Sequence, residues 1–422
     1  MNIPALDRSI GLEIYSTQIV GIGGTIKQTP DQFVVEEILD NSSLDLVERA
    51  DEEHTYPFYL LQKEGIDSGH AVKEVQLATG LRLKVVGLKD AKAITRQYAS
   101  VMRKHQNAKS RLVTKHCILD LVGYTRKPIS KGNLVGNIFV ITISDFQDDG
   151  IEKRINEMRA YIDNSTIANF YGYQRFGSSR PVTHLVGKEI IKRNFRQALE
   201  LFLCHSNEYD RKENREIREL CRDSLNFASV LKILPNQMDL EKILITELMK
   251  SNDPIKAIRG LPITIRRLFV QAYQSYIFNR SLSMAVKEGL NITSPEQKDL
   301  CFRLELNSIK MLGINRFDNN ADGLQLPAIP LAGFAFRDDN RFGSIVKMVM
   351  DEEGVSKKDF YIKDMQEVST EGGFRPVSLL CKEFSYKLNG SLQVQFTLPK
   401  ACYATVLLRE LMKPSDPIRA GF

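Results

Sequence analysis

Near the end of this chain Leu392, Val394, Phe396 and Leu398 alternate with Gln393, Gln395 and Thr397. A period of two puts the apolar side chains on one face, so the pattern predicts a half-buried strand. Pro399 lacks the N–H that a ladder needs and ends it, and Ala404–Met412 then reads as a short helix. Residues 137–146 form the clearest strand of the first half, and Phe33 to Leu39 predicts another behind the turn-rich residues 25–32. Helical spacing appears at Ala71, Val72, Val75 and Ala78, with Ser68 as the expected N-cap and Gly80 just past the end. Asp149 and Gly150 open a second helix, in which Ile151, Ile155, Met158 and Ile162 trace one face. From about 186 to 290 the pattern is mostly helical. Its strongest piece runs from Pro262 to Glu288, with Ile265, Leu268, Phe269, Ala272, Tyr276 and Ile277 on one face.

Strands and helices alternate here without strict βαβ order, which predicts an α+β protein with a mixed or largely antiparallel sheet. A β-rich start and a β-rich end around a helical centre suggest one core interrupted by an insertion. The length of 422 residues is enough for roughly two to three domains. A hydrophobic share of 43% and a charged share of 26% are those of an ordinary globular protein. There is no apolar run of about 18 residues, so no membrane helix is expected, and the first residues do not read as a secretory signal. Six scattered cysteines contain no Cys-x-x-Cys, so neither a disulfide framework nor structural zinc is expected, and a reducing cytoplasm fits. The histidines (54, 70, 105, 116, 184 and 205) form no metal-ligand pattern. No P-loop or Gly-x-Ser-x-Gly elbow occurs, and Gly21-Ile-Gly-Gly24 is too short for a dinucleotide fingerprint. Chemistry without a nucleotide or metal cofactor, or binding alone, is the expectation.

The net charge of +6 is modest, but its distribution is uneven. Arg103, Lys104, Lys109, Arg111, Lys115, Arg126, Lys127 and Lys131 face the single acid Asp120 within one stretch. Such a run suits a phosphate-binding rim, and charge alone does not separate that reading from a solvated face. The acidic segment from Asp40 to Glu53 is expected to face away from a polyanion.

Asp90 is the most informative residue. It is a lone acid among Lys89, Lys92 and Arg96, between a strand-like Val85-Val86 and a β-favouring run through Ile94, Thr95 and Tyr98. Gly87 is expected to let the backbone turn. A carboxylate on such a turn inside a positive field is kept ionised and can act as a nucleophile, although a lone Asp between strands is more often a turn former. Lys27 could pair with it, and Glu37 could be a structural anchor. Asn169 to Gly177 packs four aromatics, two glycines and Arg175 into nine residues. That mix suits stacking on unpaired bases and gripping phosphate through residues such as Arg175 and Phe176, or an aromatic cluster at a domain junction. Strand alternation places Asn137 and Phe139 on one face, an amide beside an aromatic plate that suits a nucleobase, although Phe139 could simply be core. His184 has no partner acid at a telling spacing and reads as structural.

Together these segments resemble the TruD family of tRNA pseudouridine synthases, in its archaeal or eukaryotic-like branch. The likeness runs in order through Ile26–Glu37, Gly87–Gln97, Gly136–Phe139, Asn169–Gly177, Phe269–Asn279, Gly373–Pro376 and Phe396–Glu410. Gly-Leu-Lys-Asp90 and the aromatic Asn169–Gly177 segment are its most specific parts. One departure is Lys400-Ala401-Cys402-Tyr403, where the family usually has Lys-Gly-Ser-Tyr. The altered turn is expected to lie away from Asp90.

The resemblance implies a pseudouridine-synthase catalytic domain, 1–177 with 370–422, whose mixed, mainly antiparallel sheet is flanked by helices. A helix-rich, family-specific insertion would occupy 178–369. It also implies Asp90 as nucleophile, Asn137 and Phe139 at the target uracil, and Lys27 as the ionic neighbour of Asp90. The implied partner is tRNA, at uridine 13, with no cofactor. Arg96, Arg103, Lys104, Lys109, Arg111 and Lys115 are the expected RNA-binding side chains. Alternatives are another tRNA site, small nuclear or messenger RNA, or a non-catalytic RNA chaperone of the same fold.

Overall fold

The computed structural model describes residues 2–47, 55–87, 89–104, 108–147, 149–177, 179–223, 226–235, 237–305 and 308–422. Leu88 of the Asp90 segment, His54, His105 and the 48–53 part of the acidic stretch lie outside them. The principal strands are β1 (Phe33–Leu39), β2 (Tyr56–Glu64), β3 (Leu83–Val85), β4 (Ile94–Val101), β5 (Cys117–Thr125), β6 (Leu134–Phe146), β7 (Lys382–Asn389) and β8 (Ser391–Pro399). They belong to one sheet in the order β7-β8-β6-β1-β4-β2-β5, with Leu46–Val47 at the β5 edge. Short strands extend it: Gly23–Thr25 pairs with β6, β3 with β4, and Arg111–Val113 with β5. Only β1 and β4 pair in parallel among the described residues, with Val35 opposite Thr95. The protein is therefore α+β, with a mixed and mainly antiparallel sheet.

The register joins the two ends of the chain. Val35 lies opposite Phe139, and Phe139 opposite Phe396, so three distant segments share one rung. Leu392, Val394, Phe396 and Leu398 are fully buried, as their alternation predicts. A second sheet of four strands is built from Leu300–Leu304, Met311–Arg316, Gln325–Leu331 and Gly373–Pro376. Its last strand follows residue 369, so the expected insertion edge falls just ahead of a strand that still pairs inside that second sheet.

Four helices correspond to the helical spacings in the sequence: α1 (Ser68–Thr79), α2 (Ile151–Asn164), α3 (Ile263–Lys287) and α4 (Ala404–Met412). In α1 the cap is Asp67, whose carboxylate accepts the N–H groups of Gly69 and His70. Ser68, expected there, is instead the first helical residue and turns its hydroxyl into the Asp90 loop. Ala71 and Val75 are buried and Gly80 takes φ +75° as expected, whereas Ala78 is exposed. Ile151, Ile155 and Met158 of α2 are buried, and Ile162 packs beside them.

The single face expected for α3 is too narrow. From Phe269 to Ala285 it buries polar positions too, including Gln274, Ser275 and Asn279. It packs against the helices Thr183–Ile191 and Arg341–Glu352 and the strand Gln325–Leu331, so neighbours cover more than one stripe. Among the described residues no helix is long and apolar enough to cross a membrane, and all six cysteines are free thiols.

Candidate active site

Strands β3 and β4 form an antiparallel hairpin, Val85 opposite Ala99, and residues 86–93 connect them. Asp90 sits on that connection with its side chain 44% exposed. The Lys27 ammonium lies 3.4 Å from its carboxylate and is itself almost buried. That ammonium also stands over the Phe33 ring, 4.5 Å from its centre. Burial pushes the Lys27 pKa below its ordinary value, and the charge of Asp90 opposes that push.

The loop is pinned from below. Lys63 is fully buried, and its ammonium donates to the carbonyls of Ile66 at 2.7 Å and Asp90 at 2.8 Å. Burial lowers its pKa to about 8, against the pull of Asp90. The Ser68 hydroxyl accepts the Lys89 N–H and donates to Gln97 Oε1. Lys89 turns its side chain inward, 3.2 Å from Glu37 Oε1, and donates to Asn137 Oδ1. Glu37 is sealed, and its other oxygen accepts the Tyr98 N–H. Gly87 is set by space rather than by a left-handed turn: a Cβ there would come within 2.7 Å of Glu37 Oε1, so the enclosed Glu37 side chain would have to shift.

Above this floor opens a cavity of about 190 Å³, lined by Asp90, Lys89, Asn137, Phe139, Gln174 and Tyr403 among others. That is below the roughly 300–1,000 Å³ of pockets that hold drug-sized ligands, and suits one small planar group. Asn137 and Phe139 share the cavity face, as strand alternation requires. The Phe139 ring is held by Phe396, 5.5 Å away and nearly parallel, and edge-on by Phe33 at 6.3 Å. A second opening, lined by Lys27, Asp90, Ala91 and Lys92, meets the first at Asp90. The arrangement offers an accessible carboxylate, a cation behind it, a fixed aromatic plate and an amide. Among the described residues no group of three or more His, Cys, Asp and Glu side chains is placed to hold a metal.

Several expected contacts are not in this cavity. Phe176 is fully buried against the His184 ring, so it offers no face to a ligand. Arg175 is half-buried, with its guanidinium bound to Ser275 and Gln271 in α3 and lying over Tyr171. Phe170 and Tyr173 are buried as well, so most of the aromatic segment is a junction core, while its Gln174 reaches the cavity. Arg96 alternates to the opposite face of β4 from Thr95 and Gln97, where it pairs with Glu36. The basic run is exposed but dispersed. Arg103 and Lys104 follow the end of β4 away from Asp90, Arg111 pairs with Asp120, and Lys109 and Lys115 flank the edge hairpin. None of these five lines the cavity.

The Ala401 turn does not lie away from Asp90. Cys402, Tyr403, Ala404 and Thr405 all line the same cavity. Ala401 itself adopts φ +66°, a left-handed conformation that suits glycine. Lys63, Gln174 and Tyr403 were not singled out from the sequence. For Lys63 a signal existed: it occupies the buried phase of β2 after Tyr59 and Leu61. Gln174 and Tyr403 carry no such mark.

The sequence model of the family described as tRNA pseudouridine synthase D (TruD) matches residues 9–411. A Methanosarcina mazei protein named "Probable tRNA pseudouridine synthase D" is 31% identical, with 98% of each chain covered. One of the same name from Archaeoglobus fulgidus is 29% identical over 97% of this chain and 99% of its own. A Methanosarcina mazei crystal structure titled "Putative tRNA pseudouridine synthase D (TruD)" superposes with a TM-score of 0.76 at 29% identity, covering 99% of this chain and 100% of that one.

Proposed function

The chain belongs to the tRNA pseudouridine synthase D (TruD) family, and from that premise we propose that it converts uridine 13 of tRNA to pseudouridine, with Asp90 as nucleophile and no cofactor. The observation that carries this reading is the Asp90 carboxylate, half-exposed at a base-sized cavity, 3.4 Å from Lys27 and facing a floor of Asn137 and Phe139.

The reaction breaks the N1–C1′ bond, forms C5–C1′, and moves one proton from C5 to N1. Nothing is oxidised or reduced, so the residues present suffice in principle. Asp90 acts by attack at C1′, by attack on the uracil ring, or by removing a sugar proton to give a glycal; each route needs an ionised carboxylate. The Lys27 ammonium stands 3.4 Å from that carboxylate. The freed uracil is retained against the Phe139 plate while it turns. Extruding the uridine from its stack costs a few kcal/mol, which phosphate contacts outside the cavity offset.

The test is a tRNA transcript carrying tritium at C5 of its uridines. Wild-type protein is expected to release tritium and to leave a carbodiimide-reactive pseudouridine at position 13. Asp90→Asn is expected to keep the fold and tRNA affinity while losing at least about 10³-fold in rate. Substantial turnover by that variant would remove Asp90 from the chemistry, and product at another nucleotide would remove the position.

A further inference from the structure

We infer that Lys89, held by Glu37, fixes the Asn137 side chain as a hydrogen-bond donor to the base in the cavity, and so selects a carbonyl at the pyrimidine 4-position. The inference rests on the reading that this cavity takes the target uracil, and it says how that base is told from cytosine. An amide has a donor end and an acceptor end, and sequence leaves open which end faces the ligand. Here the neighbour decides. Lys89 donates to Asn137 Oδ1, and an ammonium has three donors and no lone pair. A reversed amide would set two N–H groups against a cation.

Lys89 cannot easily turn aside. Its backbone is clamped to Ser68 at both N–H and carbonyl, and its side chain is 9% exposed. Glu37, opposite Asn137 in the β1–β6 register, is completely enclosed and holds the ammonium at 3.2 Å. With Oδ1 engaged, Asn137 Nδ2 has no partner among the described residues, and Asn137 lines the cavity. The cavity is thus offered two N–H donors at that point.

Uracil presents O4 to such a donor, whereas cytosine presents an amine and would bring donor against donor. The same polarity suits a base that must turn. Bringing C5 to the place of N1, by rotation in the ring plane or by a flip about the N3–C6 axis, carries O2 to the place of O4. Asn137 then meets a carbonyl before and after the rotation. An acceptor at this position would face a carbonyl oxygen at both stages and find no partner. Lys89 is a positioning residue in this scheme, and Asn137 is the group that touches the base.

The experiment measures competition between tRNA transcripts with uridine or cytidine at the target, using the Asp90→Asn protein so that no turnover intervenes. The expected preference for uridine is about tenfold or more. Asn137→Asp leaves Lys89 an oxygen to hold and turns the second oxygen to the cavity, so the preference is expected to reverse towards cytidine. Lys89→Met is expected to bring the ratio near one, and Lys89→Arg to restore part of it. Thermal melts report folding, and Asn137→Asp carries the test alone if Lys89→Met does not fold. Should the wild type form pseudouridine while Asn137→Asp still prefers uridine, the polarity assignment falls and the activity stands. Should the wild type form none on any uridine transcript, both fall together.

Discussion

Asp7 and Asp90 are each paired with a basic side chain, yet their surroundings give them opposite uses. Asp7 and Arg409 are wholly buried, 2.6 Å apart, and the second Asp7 oxygen accepts the Tyr173 hydroxyl. Arg409 donates further to the Ile14 carbonyl, and Glu410 beside it accepts the N–H groups of Ser16 and Thr17. Both Asp7 oxygens and both Glu410 oxygens accept a hydrogen bond, and the cluster ties the N-terminal segment to α4 and to the aromatic segment. Lys27 and Asp90 stand farther apart, at 3.4 Å, and only the lysine is enclosed. The Asp90 carboxylate keeps an accessible side on two openings. A charge pair closed on all sides stabilises a fold or costs it stability; one left open on its acid side can meet a substrate.

Removing one charge from each pair separates the two roles. The largest effect belongs to Asp90→Asn, which is expected to remove turnover while leaving the melting temperature close to that of the wild type. The mirror result is expected of Arg409→Met, which strands a buried carboxylate and costs about 3–5 kcal/mol of stability. Denaturant titration measures that loss, and the rate per folded molecule should be little changed. A melting shift for Asp90→Asn as large as that for Arg409→Met would erase the distinction.

The closed region also has a pH signature. His184 is buried, donates from Nε2 to the Ser9 carbonyl, and leaves Nδ1 without a partner among the described residues. Burial lowers its pKa from 6.5 to about 4, while Lys188 and His205 add to the depression and Glu353 opposes it. The unfolded chain binds this proton first as pH falls, so stability is full above pH 6.5 and is lost from there towards pH 4, by up to about 3 kcal/mol. His184→Gln should flatten the melting temperature against pH over that window. An unchanged slope would assign it to other groups.

The smallest effect is at the edge of the open region. Ala401 sits at φ +66°, where its Cβ strains the backbone, so Ala401→Gly is expected to stabilise by about 0.5–1 kcal/mol. Equilibrium unfolding resolves it, and a destabilised glycine variant would show that the turn is not strained.

Much of this was legible because it depends on local pattern. The alternation at Leu392–Leu398, the Gly80 stop and the Asp90 hairpin follow from periods and backbone preferences that neighbours in sequence enforce. Asn137 and Phe139 could be placed on one face for the same reason. Misreadings arose where a side chain's surroundings come from elsewhere in the chain. Phe176 and Arg96 have the chemistry of ligand contacts, but one packs on His184 and the other points through the sheet to Glu36. Ser68 has the character of a cap, yet Asp67 takes that place and frees its hydroxyl for Lys89.

What the sequence by itself determined is a part of the strands and helices, the mixed sheet and the identity of the exposed acid. These rest on periodicity, turn chemistry and a matching order of segments. Only the tertiary structure decided which end of Asn137 faces the cavity, which side chains crowd Gly87, and that Cys402, Tyr403 and Asp90 border one site. Those depend on atoms brought together from β1, β6, the Asp90 loop and the entry to α4, segments separated by tens to hundreds of residues, and no local pattern encodes which donor will meet which acceptor across that distance.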